Sequence, residues 1–258
     1  MALNIKIIVA THKKYQMPKD ALYLPVQVGA EGKDNLGYQC DNVGENISAK
    51  NPNYCELTGL YWAWKNLDAD FIGLAHYRRH FSYKRKATKF DSILTSAEAE
   101  MLCAEYDVLV PKKRYYYIET LKSHYVHTHA ANHIDKTRTI LSQKYPDYIP
   151  AFDKVMKQRG AHMFNMFVMK KQLLNQYCTW LFDILFEVEK HINLKGMTAF
   201  DARLFGRISE LLFNVWLLKE NIKYKEVHFI QLGREHWLQK IKGFLEAKYF
   251  GKKYNCSK

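Results

Sequence analysis

The stretch "ELTGLYWAWKNLDADFIGLAHYRRHF" (56–81) runs a helix pattern straight into a strand pattern. Leu57, Leu60, Tyr61 and Trp64 recur at the spacing of one helix face. Phe71, Ile72, Leu74 and Ala75 then form a short apolar run suited to a buried strand. Upstream, "NIKIIVATHKK" (4–14) and "YLPVQVGA" (23–30) read as two more strands, the second ending at Gly29. Helix-linked strands in this order pair in parallel, because a parallel partner is reached only by a crossover. The pattern therefore predicts an α/β chain with a mainly parallel central sheet flanked by helices. Downstream it continues with a helix and strand over 98–110 and a mostly helical region over 119–145. A strand over 161–171, long helices over 172–192 and 202–222 and a closing strand over 226–232 follow. No linker divides residues 1–233, which are expected to form one domain.

Bulk composition narrows the partners. Hydrophobic residues make up 48% of the 258, ample for one large core. A formal net charge of +13 favours an anionic partner: nucleic acid, a phosphorylated small molecule or an acidic membrane surface. The five cysteines (40, 55, 103, 178 and 256) include no C-x-x-C pair, which suits reduced thiols of a cytoplasmic protein. The apolar run at the N-terminus is short for a signal peptide. No stretch approaches the roughly 20 residues of a membrane-spanning helix. Residues 234–258 differ from the rest. Trp237, Leu238, Ile241, Phe244 and Leu245 share a helix face, among seven Lys/Arg and two Glu. Such a tail either docks on the domain or lies on an anionic membrane surface.

Several constellations carry chemistry. In open α/β sheets ligands bind beyond the carboxyl ends of the strands. His76, Tyr77, Arg78 and Arg79 follow the apolar run 71–75 directly, so they mark an anion site there. Asp68 and Asp70 resemble a metal-binding D-x-D pair, but they precede the strand and fall at the opposite sheet edge. His124, His127, His129 and His133 lack the carboxylate or cysteine that completes a zinc set. On the last long helix Arg203, Arg207 and Glu210 share a face, with Asp201 just ahead. This is either a surface ion-pair ladder or an acid placed to act as a general base. Asp41, Asn42, Glu45 and Asn46 surround Gly44 and offer hydrogen bonds to a base, ribose or sugar.

The stretches "IKIIVATHK", "YLPVQVGA", "DNVGENIS", "ELTGLYWAWKN", "DFIGLAHYRRHF", "NMFVMKKQLLNQYCTWLFDILFEVE" and "GRISELLFNVWL" together resemble one family of bacterial capsule and exopolysaccharide synthesis proteins. That family is catalogued as domain of unknown function 4422 and treated as glycosyltransferases. The resemblance implies a GT-A-like fold. It also implies transfer of a sugar, often galactose as pyranose or furanose, from a UDP-sugar to a lipid-linked glycan. Carried over by position, it sets Thr11, His12, Lys13, Gln27 and Gly29 near the nucleotide, with Asp41, Asn42, Glu45 and Asn46 ordering the donor loop. Glu56 would fix that loop, and Asn165 and Met166 would line the cleft, with Arg203 and Arg207 on the acceptor side. Glu210 would deprotonate the acceptor hydroxyl, with Asp201 as second choice. H-Y-R-R stands where such enzymes usually keep D-x-D, so a metal-independent reaction is expected, with no cofactor beyond the donor. A non-enzymatic basic module on nucleic acid or membrane would explain the charge and the tail. It would not explain buried strands ending in polar clusters, and the sheet aromatics of RNA-binding modules are missing, so no nucleic-acid partner is expected.

Overall fold

Strand β1 (Ile5–Thr11) lies in the middle of an eight-stranded sheet in the computed structural model, which describes residues 2–84, 90–130 and 132–232. The tail 234–258 falls outside the described residues. In chain order the other strands are β2 (Tyr23–Gln27), β3 (Gln39–Cys40), β4 (Phe71–His76), β5 (Arg79–Ser82), β6 (Val108–Pro111), β7 (Arg114–Tyr115), β8 (Gly160–Ala161), β9 (Phe167–Lys170) and β10 (Lys225–Gln231). The helices are α1 (Asn51–Tyr54), α2 (Leu57–Asn66), α3 (Ser96–Glu105), α4 (Leu121–Thr128), α5 (Asn132–Lys144), α6 (Ile149–Lys157), α7 (Lys171–His191) and α8 (Leu204–Lys219).

The sheet is mixed, which corrects the expectation of a mainly parallel one. The pairings β1–β2, β2–β3, β1–β4 and β6–β10 are parallel. The pairings β4–β5, β5–β10, β4–β9 and β6–β9 are antiparallel. Two local events cause this. The run 70–81 is two strands, because the chain reverses at Tyr77–Arg78 and β5 returns beside His76. Strand β9 then enters between β4 and β6 from the opposite direction. The small sheet β7–β8 stands apart.

Period-2 alternation sorts the strands onto two cores. Ile8, Ile72, Leu74, Val108, Phe167 and Met169 face the larger one, with α2 and α4–α8. Ile7, Val9, Phe71, Ala75, Leu109 and Val168 face the smaller one, with α3. The fully buried rings of Tyr177, Phe213 and Trp216 lock α7 to α8 in the larger core. A capping box of Thr95 and Glu98 starts α3, and Thr120 with Ser123 does the same for α4. No helix among the described residues is long and apolar enough to cross a membrane.

Candidate functional site

At the carboxyl ends of β1 and β4, polar and charged groups from these strands meet those of the first turns of α8, a cluster termed the basin. β1 delivers His12 and Lys13, whose side chains pack against the Tyr77 ring. Thr11 shapes that turn, exchanging hydrogen bonds between its hydroxyl and the Lys13 backbone. At the end of β4, His76 directs Nε2 at the Phe164 carbonyl. Burial lowers the His76 pKa, the Glu56 charge opposes this, and the Arg79 and Arg203 charges add to it. Burial also lowers His12, with Lys13 and Arg203 contributing. Both rings are therefore neutral hydrogen-bonding groups in an electropositive setting.

Glu210 occupies the basin wall. The residue is half-buried. Among the described residues no hydrogen bond or ion pair occupies its carboxylate. Burial raises its pKa to about 7, and the Glu56 charge pushes the same way, while Arg79, Arg114 and Arg207 pull it down. Two carboxylates thus share a site with four guanidiniums, since Arg203 also feels both Glu56 and Glu210. Arg203 donates Nε–H to Cys55 Sγ at 3.1 Å, and Arg207 lies 4.1 Å from the Phe200 ring centre. Arg79 lies 4.4 Å over Phe164 and donates to Gln231 Oε1 at 2.8 Å. Four guanidiniums set against two carboxylates leave an excess of positive charge, which favours a multiply charged anion.

Asn165 supports this wall from behind. Its amide donates to Glu56 Oε1 at 2.7 Å and to the Gly206 carbonyl at 2.9 Å, and its oxygen accepts from Ser209 at 2.7 Å. Phe164 and Asn165 both take positive φ, 76° and 51°, so the chain bends sharply ahead of β9. That bend presents the Phe164 carbonyl to His76 and the Asn165 amide to Glu56. Asn165 is accordingly a strut and not a cleft-lining group. Met166 is core, 1% exposed.

Other expected positions fall elsewhere. Gln27 is buried and closes a loop, donating to the Asp34 carbonyl and accepting from Leu36 N–H, both at 2.8 Å. Gly29 (φ +62°) and Ala30 donate their N–H groups to the buried Asp41 carboxylate, which also takes the Ser48 hydroxyl. Asp41 therefore spends its lone pairs holding two turns together. Glu45 bonds Tyr61 at 2.9 Å and pairs with Lys65 at 3.1 Å, and its N–H donates to Asn66. Of those partners Lys65 and Asn66 sit at the far end of α2 from Glu56, about 15 Å away by helix rise, and Tyr61 lies midway along the helix. Asn46 bonds the Gly44 carbonyl in the same loop, and half-buried Asn42 makes no hydrogen bond there. The polar side chains of Asp41, Glu45 and Asn46 are thus engaged in holding the loop and tying it to α2. Arg78 donates toward the Leu232 carbonyl at 3.3 Å and is latched to the end of β10. Asp201 accepts from Thr198 at 2.8 Å, capping a turn instead of entering the basin.

Asp68 and Asp70 lie at the amino end of β4, against Lys171 and the Asn4 backbone. The histidines do not converge. His124 and His127 both bond Glu119, His129 touches Arg207, and His133 bonds Tyr125. Among the described residues no group of three His, Cys, Asp or Glu is placed to hold a metal ion.

A family model described as Domain of unknown function (DUF4422) matches residues 6–221. The chain belongs to this family. Among solved structures, the apo form of WbbM, titled a bifunctional glycosyltransferase, superposes with a TM-score of 0.83 at 30% identity. The match covers 90% of this chain and 46% of that one, so the DUF4422 chain spans less than half of WbbM's length. No curated protein matches it. The matched span takes in the whole basin, from His12 to Glu210. Arg114 and the Phe164–Asn165 bend are basin parts that no spacing rule singles out. The one signal was "KKRYYY", a basic and aromatic run directly after a buried strand.

Proposed function

We propose that the DUF4422 chain is a glycosyltransferase that moves a sugar from a UDP-sugar to a hydroxyl of a lipid-linked glycan without a bound metal. The observation that carries this is Glu210: a carboxylate raised by burial to a pKa of about 7, with no hydrogen-bond partner among the described residues and with Arg79, Arg114 and Arg207 near enough to act on it. A base of that strength is half ionised at neutral pH and well matched to a hydroxyl proton. Glu210 takes the acceptor proton as the acceptor oxygen bonds the anomeric carbon. The bond from that carbon to the β-phosphate oxygen breaks, and its electron pair leaves with UDP. Arg79 and Arg203 neutralise the diphosphate, in place of the Arg78–Arg79 pair expected from sequence. Likeness to a protein titled a glycosyltransferase supports the reaction class, and the family resemblance supports a UDP-sugar donor with galactose as the sugar. A cytoplasmic site at the inner membrane face fits such an acceptor.

Calorimetric titration of UDP, once in EDTA and once with Mn²⁺, tests the reading. Saturable binding of equal affinity in both buffers is expected. Binding confined to Mn²⁺ would reject metal independence, and no binding in either buffer would reject the donor class.

A further inference from the structure

The segment joining β6 to α4 carries a feature the transfer reaction leaves unused. Tyr115, Tyr117 and Ile118 are 58%, 81% and 63% exposed, an apolar cluster within four residues. Isolated exposed apolar residues are ordinary, whereas a cluster marks a surface that is covered in use. Lys112, Lys113 and Arg114 precede it and Lys122 follows. The one acid between them, Glu119, is turned inward and bonded to His124 and His127.

The cluster is held firmly. β7 pairs with β8, Tyr116 N–H donates to the Arg159 carbonyl at 2.8 Å, and Arg159 donates back to the Tyr117 carbonyl at 3.1 Å. The Tyr115 ring lies over Gly160, where an added Cβ would meet it at 2.6 Å. Alternation along the segment turns Arg114 and Tyr116 toward Glu210 and leaves Tyr115 and Tyr117 outward. Beside it a groove of about 560 Å³ runs between α4, α5 and α6. Its apolar floor is Val126, Ile134, Phe152 and Met156, and Lys122 and Lys157 stand at its rim.

We propose that this face, with Tyr115, Tyr117 and Ile118 at its tip and Lys112, Lys122 and Lys157 around it, docks on an anionic lipid surface. Tyrosine rings settle at headgroup depth, an isoleucine enters the acyl boundary, and lysines meet anionic headgroups. The apolar floor gives acyl chains a surface, and the Arg138–Asp153 ion pair lies on the lining beside Lys122 and Lys157. The face is separate in sequence from 234–258, and its docking does not depend on the transferase reading.

The test is co-sedimentation of the full chain with vesicles of phosphatidylcholine and phosphatidylglycerol in equal parts, against phosphatidylcholine alone. The chain is expected to pellet with the mixed vesicles only, less so as salt rises. Tyr117→Ser with Ile118→Ser, and separately Lys112→Glu with Lys157→Glu, should each lower partitioning about tenfold. Met101→Ser, an exposed residue of α3 across the sheet, should leave it unchanged. Thermal unfolding checks that each variant folds, and UDP titration of each should match the parent. Failure of the parent to pellet with mixed vesicles would overturn the proposal and leave the patch to a protein partner. Parent-like pelleting of both double variants would overturn it too, assigning the binding to other residues. Vesicle binding without UDP binding would reject the UDP-sugar donor and leave the docking proposal standing.

Discussion

Glu210 is the residue whose chemistry the rest of the basin serves. Glu210→Gln should cut turnover by about 10²–10⁴ while leaving UDP affinity nearly unchanged, measured by single-turnover assay and calorimetry. The pH profile follows from the same group. A base must be ionised to act, so turnover should rise with pH and level off above about 7. Because the Glu56 charge helps to hold that value up, Glu56→Gln should move the limb to lower pH, as pH–rate profiles would show. A limb that stays put would mean that Glu56 is only a hydrogen-bond partner of Asn165. Stability runs the other way. Glu210 ionises near 4.5 when unfolded and near 7 when folded, so the folded state binds the proton more tightly. The group's contribution therefore falls as pH rises between those values, and Glu210→Gln should melt higher than the parent above pH 7. Helical periodicity made the face of Arg203, Arg207 and Glu210 legible in the sequence. The Glu56–Asn165–Gly206 contact was not, because it joins positions 109 and 41 residues apart.

At the scale of elements, the loop between β2 and α2 shows why polar loop residues are ambiguous. Asp and Asn after a strand suit a sugar hydroxyl and a backbone N–H equally well. Here Gly29, Ala30 and Ser48 already occupy Asp41. Asp41→Ala would leave those buried donors unmatched and should cost about 3 kcal/mol. That corresponds to a fall of roughly 6–12 °C in Tm by calorimetry for a chain of this size. Glu45→Ala, at an exposed pair, should shift stability by no more than about 0.5 kcal/mol and leave turnover intact. A large loss of turnover in Glu45→Ala would return that loop to the donor site. The helices were legible because each buries a long periodic face. The reversal at Tyr77–Arg78 was hidden, because "HYRRHF" carries neither glycine nor proline to announce a turn.

For the whole molecule, the mixed sheet decides how the chain holds together. Parallel order of β1 and β4 could be inferred from the helical pattern of 56–67 ahead of β4, whereas β1, β2 and β3 reach their parallel pairing through loops with no helix. The antiparallel entry of β9 could not, because three apolar residues and a lysine carry no mark of their direction. Yet β9 pairs with both β4 and β6, and the pairings from β4 through β9, β6, β10 and β5 return to β4. Each of β1, β4, β6 and β9 also presents alternate residues to both cores. Neither core can therefore melt without removing one wall of the other, and unfolding should be a single transition. The described tryptophans, Trp62, Trp64, Trp180 and Trp216, all pack in the larger core, while Cys103 is buried in the smaller. In a urea series, tryptophan fluorescence and thiol labelling of Cys103, read by mass spectrometry, should share one midpoint. Labelling at lower urea than the fluorescence change would show that α3 and its side of the sheet open independently of the layer that carries Glu210.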